Sequence, residues 1–473
     1  MQSNSIPRPI SEPVDTQTDK GPYASPIAPR PPEQQLRFLN AYRALSRNPI
    51  QAFERAAYEK PFHEINRWGR RLLIVSDPAA IERVLVDNAA NYLKSDQQQR
   101  RLKPALGNGL LTAEGDGWRA TRRITAPLFS PRVISDLAGD MHRAADEMAA
   151  RWRGRQDRGV PLDCVEEFQR LTYEIASMTM FSGALDDDRL AVQANMALYF
   201  DTVGRIDLAS LLRLPEWLPT PARARARPAM RHFQSIVQRV VAERQGTTGM
   251  EDLLDRLMHA VDPATGARLS QGAVADNILT FLAAGHETTA NALAWIFYLL
   301  ALTPDVTDML RSELIMLDTG AALSRTDLNR LPMTMAVINE AMRLYPPAPF
   351  IGREAIAADR LGDQEIKPGA QVLISPWIVH RHRTLWADPD KFRPERFLET
   401  PADDLPRGMF LPFGLGPRIC IGKGFAMQEI VTVLAVLLPR FRFQLVDPGE
   451  IYPLSNITLR PAPAVRMLLR PIG

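Results

Sequence analysis

Cys420 lies in Phe-Gly-Leu-Gly-Pro-Arg-Ile-Cys-Ile-Gly, residues 413–422, a glycine-rich turn with an arginine two residues before the thiol. A lone cysteine is by default a small buried hydrophobe. Here Phe413, Gly416, Arg418, Cys420 and Gly422 keep an F-x-x-G-x-R-x-C-x-G spacing, and an apolar helical segment from Phe425 to about Leu438 follows. A thiolate near a helix N-terminus and a guanidinium is stabilised by both, which lowers the thiol pKa. The glycines let backbone N–H groups turn toward the sulfur. The stretch reads as a metal–thiolate loop, with an activated nucleophile the other chemistry open to it.

Three further groupings could carry chemistry. The first is Ala284-Gly285-His286-Glu287-Thr288-Thr289, in the middle of an otherwise apolar segment from Ala275 to about Leu302. Glycine costs roughly 1 kcal/mol against alanine inside a helix. Thr288 can bond the Ala284 carbonyl one turn back, so both residues are expected to open the helix locally. A buried unpaired carboxylate costs several kcal/mol. Glu287 is therefore either a solvated acid at a bend or an acid with a task, and an acid beside a hydroxyl can relay protons; His286 receives no role. The second grouping is Glu340 and Arg343, at i,i+3 on a predicted helix from Pro332 to Leu344, with Arg396 downstream in Pro394-Glu395-Arg396-Phe397. Such a pair is usually a weak surface contact, but the apolar helix around it argues for burial. The third is Trp118 and Arg122, i,i+4 neighbours that would project an indole N–H and a guanidinium together, with Arg119 and Arg123 turned outward or toward a redox partner.

Taken together, these motifs resemble those of the cytochrome P-450 superfamily, in its soluble prokaryotic type, over nearly the whole chain. The resemblance implies a mainly α fold with small β-sheets and haem b between the oxygen-side helix (about 275–302) and the Cys420 loop. Cys420 would be the iron ligand, with Phe413, Gly422 and Ala284 also against the haem. Trp118, Arg122, Arg418 and Arg353 would hold the propionates, with Lys94 a weaker candidate. Thr288 would donate to dioxygen and Glu287 would relay protons, while Glu340, Arg343 and Arg396 would lock the cysteine loop. Pocket walls would include Leu110, Leu111, Ile278, Phe281, Ala348 to Ile351 (Phe350 among them) and Ile457. Arg205 could anchor a substrate carboxylate, although an ordinary surface role weighs more.

The implied activity is monooxygenation of a hydrophobic small molecule by O2. Electrons would come from NAD(P)H through a separate ferredoxin- or flavodoxin-type partner. Two rivals are weighed against it. A haem-thiolate peroxygenase would have little use for Glu287 and Thr288, and a haem carrier or sensor would need the Cys420 loop without the oxygen-side acid and hydroxyls.

The composition sets the frame. The 473 residues are 45% hydrophobic and 23% charged, with a formal net charge of +3. That charge is too small for a nucleic-acid footprint. Two cysteines, Cys164 and Cys420, suit a reducing cytoplasm, and no apolar run reaches the roughly 18 to 20 residues of a membrane span. Eight prolines between Pro7 and Pro32 suggest an extended or disordered leader over residues 1–32. A single haem domain is expected from residue 33 to 473. Its elements should include a hairpin from Phe62 to Val75 around Trp68-Gly69, helices over 116–128, 132–153, 165–180, 188–203 and 222–244, and short strands over 361–378 and 452–469.

Overall fold

The computed structural model describes residues 23–472 except 68, 69, 157, 203, 205–219, 247, 248, 251, 318–321 and 329. Its longest element is the helix Gln271–Leu302. The Ser270 side chain caps it by accepting from Ala273 N–H at 3.2 Å, which satisfies one of the donors a helix N-terminus leaves free. Beyond its first turn this helix is apolar on nearly every face, so it can be stable only when surrounded. It is enclosed by Cys164–Phe181, Pro332–Leu344 and Lys423–Leu437, with Pro131–Gln156 packed behind them. Trp295 stacks on Tyr345 at 3.7 Å between centroids near the middle of this core.

Strands flank the helical body. A five-stranded sheet runs in the order Phe62–Arg67, Arg70–Val75, Gln371–Ile374, Ile351–Ala355 and Tyr92–Lys94. The Phe62–Val75 hairpin forms in antiparallel register as expected, though its turn residues Trp68 and Gly69 lie outside the described residues. The edge strand Tyr92–Lys94 is not foreseeable from three residues. It sets Lys94 directly opposite Arg353. The antiparallel hairpin Tyr452–Ser455 and Leu459–Ala462 carries its turn at residues 456–458 toward the long helix.

Two expectations are corrected. The long helix is unbroken through Gly285: Thr288 Oγ1 does donate to the Ala284 carbonyl at 2.5 Å, but this bond forms within a continuous α-helix and opens no turn. The second concerns the leader, whose last residues pack onto the core. Pro26, Ile27 and Ala28 are buried, Tyr345 Oη donates to the Ile27 carbonyl at 2.8 Å and Phe392 N–H to the Ala24 carbonyl at 3.0 Å. Prolines suit such a strap, because it supplies carbonyl acceptors and needs few N–H donors.

Candidate functional site

The Cys420 loop is shaped by its glycines. Gly416 has φ +74°, and an added Cβ there would lie 1.9 Å from the Leu85 carbonyl oxygen, so only glycine fits. Cys420 N–H donates to the Phe413 carbonyl at 2.9 Å, closing the loop. The helix Lys423–Leu437 starts three residues after the cysteine. Cys420 retains accessible surface, yet burial pushes its thiol pKa up, against the Gly422 backbone N–H and the Arg122 charge, which lower it. The sulfur thus keeps accessible surface while lying among protein atoms. Two expectations change here. The thiol is not acidified by the protein alone, and the guanidinium acting on it is that of Arg122. Arg418 is engaged elsewhere, in an ion pair with Glu114 and with its guanidinium 4.2 Å from the centroid of the Trp118 ring.

Arg418 belongs to a cation cluster. Lys94 Nζ donates to the Ala113 carbonyl at 2.9 Å and stands 3.9 Å from Glu114. Its pKa falls to about 7, through desolvation first and then the Arg418 charge. Arg353 is also buried, and the same two causes lower it to about 10. Like charges directly opposite on paired strands destabilise a sheet, and here Lys94, Arg353 and Arg418 share the single carboxylate of Glu114. A surplus of buried positive charge calls for anions, and the two propionates of haem are of the right sign and number. Glu114 was not foreseen, and no local spacing marks it. The outward residues behave differently: exposed Arg119 pairs with Asp116, and Arg123 grips Asp262 through two bonds of 2.8 and 2.6 Å.

The long helix supplies the other wall. Within its buried length Ala284 is exposed and Gly285 and Thr288 are partly accessible, and a Cβ added at Gly285 would meet no atom within 4 Å. This smooth strip fits one face of a flat macrocycle. Ile421, next to the cysteine, and Trp118 pack against the apolar cluster that contains Phe281 and Ala283, so both walls border one region. Residues that could hold haem are thus present: a thiol, a cradle of small residues and surplus cations.

Glu287 faces away from that strip and is buried. Thr458 Oγ1 donates to its Oε1 at 2.7 Å, while Oε2 has no hydrogen-bond partner. Burial raises its pKa, opposed by the Thr458 hydrogen bond, by the Arg460 charge and by a hydrogen bond with Asn291. The solvated-acid reading therefore fails on burial. Of the pocket residues, Leu110, Ile278 and Phe281 lie in the cluster just described, with Leu111 and Ile457 packed against it. Phe350 instead packs on the main core, 5.7 Å from Phe53 between ring centroids, and Ile351 packs at the start of its strand against a third cluster. Arg205 lies outside the described residues.

The expected lock is present and larger than foreseen. Arg343 Nε and Nη2 donate to the two Glu340 oxygens at 2.7 and 2.9 Å, and Arg396 Nε donates to Oε1 at 3.0 Å. Arg343 also donates to the carbonyls of His380, Pro389 and Lys391. His380, missed in the sequence, extends the network. Its Nε2 accepts from Leu411 N–H at 2.8 Å, so the ring is neutral and Nδ1 donates to the Arg343 carbonyl at 3.2 Å. Leu411 is two residues before Phe413, so the chain of bonds reaches the cysteine loop.

Comparison with known proteins agrees with this arrangement. The Cytochrome P-450 family model matches residues 29–467. Cyclooctatin synthase of Streptomyces melanosporofaciens is 32% identical over 90% of this chain and 92% of its own length. Cyclooctat-9-en-7-ol 5-monooxygenase of the same organism is 30% identical over 91% and 95%. The crystal structure of cytochrome P450DA heme domain superposes with a TM-score of 0.76 at 25% identity, covering 87% of this chain and 90% of that one. With a family match across almost all of the described residues and relatives of its own length, this chain belongs to the cytochrome P-450 family, the haem-thiolate monooxygenases.

Proposed function

We propose that this protein, a single haem domain, transfers one oxygen atom of O2 to a hydrophobic, largely hydrocarbon substrate in the cytoplasm. Two electrons would come from NAD(P)H through a separate ferredoxin- or flavodoxin-type protein. When bound, haem supplies the redox and oxygen-cleaving chemistry. Cys420 would provide the anionic ligand, its charge favoured by the Gly422 N–H and by Arg122. Arg353, Arg418, Lys94 and Trp118 take the propionate side. Ala284 and Gly285 leave room for a planar group. Thr288 would turn its hydroxyl from the Ala284 carbonyl toward bound O2, and Glu287 would supply the proton.

The observation that carries this reading is the accessible Ala284–Gly285–Thr288 strip in the middle of a helix buried over most of its length, with the buried acid Glu287 beside Thr288. The apolar cluster of Leu110, Ile278 and Phe281 favours a substrate with few polar groups. One relative is named for oxidising cyclooctat-9-en-7-ol, an alcohol on a hydrocarbon frame. Two measurements test the assignment. The reduced, CO-bound protein should show the red-shifted Soret band of thiolate ligation and Cys420→Ser should lose it; an unchanged band in the variant would refute the ligand. Thr288→Ala should divert NAD(P)H electrons to peroxide, and unchanged peroxide yield would refute the role of the hydroxyl.

A further inference from the structure

Glu287 is held by a residue from the other end of the chain. Thr458 lies in the turn of the Tyr452–Ala462 hairpin, 171 residues away, and its hydroxyl lies 2.7 Å from Glu287 Oε1. A threonine hydroxyl has one proton to give. Asn291 Nδ2, one turn along the long helix, donates to the same hydroxyl oxygen at 3.4 Å, which leaves the Thr458 hydrogen free to point at Glu287. Oε1 is then the accepting oxygen of the carboxyl group. The Asn291 side chain also hydrogen-bonds the Glu287 carboxyl group, and Oε2, buried and without a hydrogen-bond partner, is the oxygen left to bear the acid proton.

The surroundings favour that state. Glu287 is 8% exposed, Thr458 8% and Asn291 0%, so an ionised carboxylate would be poorly solvated. The charged groups acting on it are Arg460, on the same hairpin, and Asp201, on the helix Arg189–Thr202. These two pair with each other at 2.9 Å, partly exposed to solvent. The neighbouring residue Ile457 packs against the apolar cluster of Leu110, Ile278 and Phe281. One short turn therefore touches both the acid and the pocket wall.

We infer that Thr458 is a positioning residue that fixes Glu287 as a neutral acid with its proton on Oε2, and that the 456–458 turn links this acid to the pocket wall. The inference rests on the proton-relay role of Glu287 proposed above, and its test separates the two. In the ferric holoenzyme, the infrared band of a protonated buried carboxyl that disappears in Glu287→Gln should move to higher frequency in Thr458→Val, because its carbonyl oxygen loses a donor, and stay in place in Thr458→Ser. Valine matches threonine in shape, and retained CO-difference spectra show that the haem site is intact. A band unmoved in Thr458→Val, or no such band in the parent protein, overturns the inference.

A second readout uses a surrogate ferredoxin and its reductase without added substrate, measuring peroxide formed per NADPH consumed. Thr458→Val should shift this ratio in the same direction as Glu287→Gln, by up to about tenfold, the scale of one buried hydrogen bond, with rescue by Thr458→Ser. A ratio changed in Glu287→Gln but unchanged in Thr458→Val overturns the positioning role. A ratio unchanged in Glu287→Gln refutes the relay itself, while the infrared band still decides whether Thr458 holds the acid.

Discussion

Two single residues show how this site trades stability for chemistry. Gly285 sits in a long helix where alanine would be better by about 1 kcal/mol, and nothing in the protein would collide with the added methyl group. Gly285→Ala should therefore leave the thermal stability of the haem-free protein unchanged or raised while weakening haem retention, measured by transfer of haem to an acceptor globin. Unchanged retention would mean that the strip does not face the macrocycle. His380 makes the opposite point. Burial lowers its pKa to about 3, with the Arg343 charge next, so it stays neutral in the native state while the unfolded chain titrates near 6.5. A lowered pKa means stability that is present above pH 6.5 and lost as pH falls toward 3. Between pH 7 and 5 the loss from this group is about 2 kcal/mol. Denaturant titrations at both pH values should show it, and His380→Gln should have a smaller pH slope despite lower stability at pH 7; an equal slope would assign the effect elsewhere. His286, lowered to about 4 by burial, adds to the slope in both proteins.

At the scale of elements, the Pro332–Leu344 helix is tied to the segment before the cysteine loop by buried charge. Glu340 and Arg343 are both wholly buried, and Arg396 shares the same carboxylate. Removing one partner from such a set leaves uncompensated buried charge at about 3–5 kcal/mol. Glu340→Ala should therefore give little folded, haem-loaded protein, seen as a lost Soret band in the soluble fraction, and a variant that loads haem normally would show the network to be dispensable. A second tie joins the two walls of the site. Burial pushes the carboxyl of Glu429, on the Lys423–Leu437 helix, well above the usual carboxylate range, opposed by its hydrogen bond with Thr289 on the long helix. Glutamine matches an uncharged carboxyl in shape, so Glu429→Gln should lose less than about 1 kcal/mol, whereas Glu429→Ala should cost about 2–3 kcal/mol through a cavity and a lost bond. Equal losses in urea unfolding would show that the carboxyl proton, rather than the side-chain shape, is what matters.

Over the whole molecule, the segment 23–32 acts as a strap. It gives a carbonyl acceptor to the buried Tyr345 hydroxyl and another to the Phe392 N–H, and it buries Pro26, Ile27 and Ala28. A chain starting at residue 33 should lose about 3 kcal/mol from these bonds and the exposed apolar surface, read as a lower melting temperature. No change in melting would mean that the strap adds nothing to stability. Among the described residues no single helix is long and apolar enough to cross a membrane; the long helix is apolar because it is the core.

The amino-acid sequence alone determined the cysteine loop, the Glu287–Thr288 pair, the Glu340–Arg343–Arg396 set and most helices. Each of these is written in short-range spacing: i,i+3 and i,i+4 faces, glycine positions and apolar periods, which local backbone geometry turns directly into structure. Tertiary structure alone decided which guanidinium acts on the thiol, that Lys94 stands opposite Arg353, that His380 carries the lock to Leu411 and that Thr458 holds Glu287. Those partners come from strand register and from packing between segments far apart in the chain, and such contacts leave no periodic mark in the sequence. Local spacing brought these groups into view, and packing then set their partners and the direction of their pKa shifts.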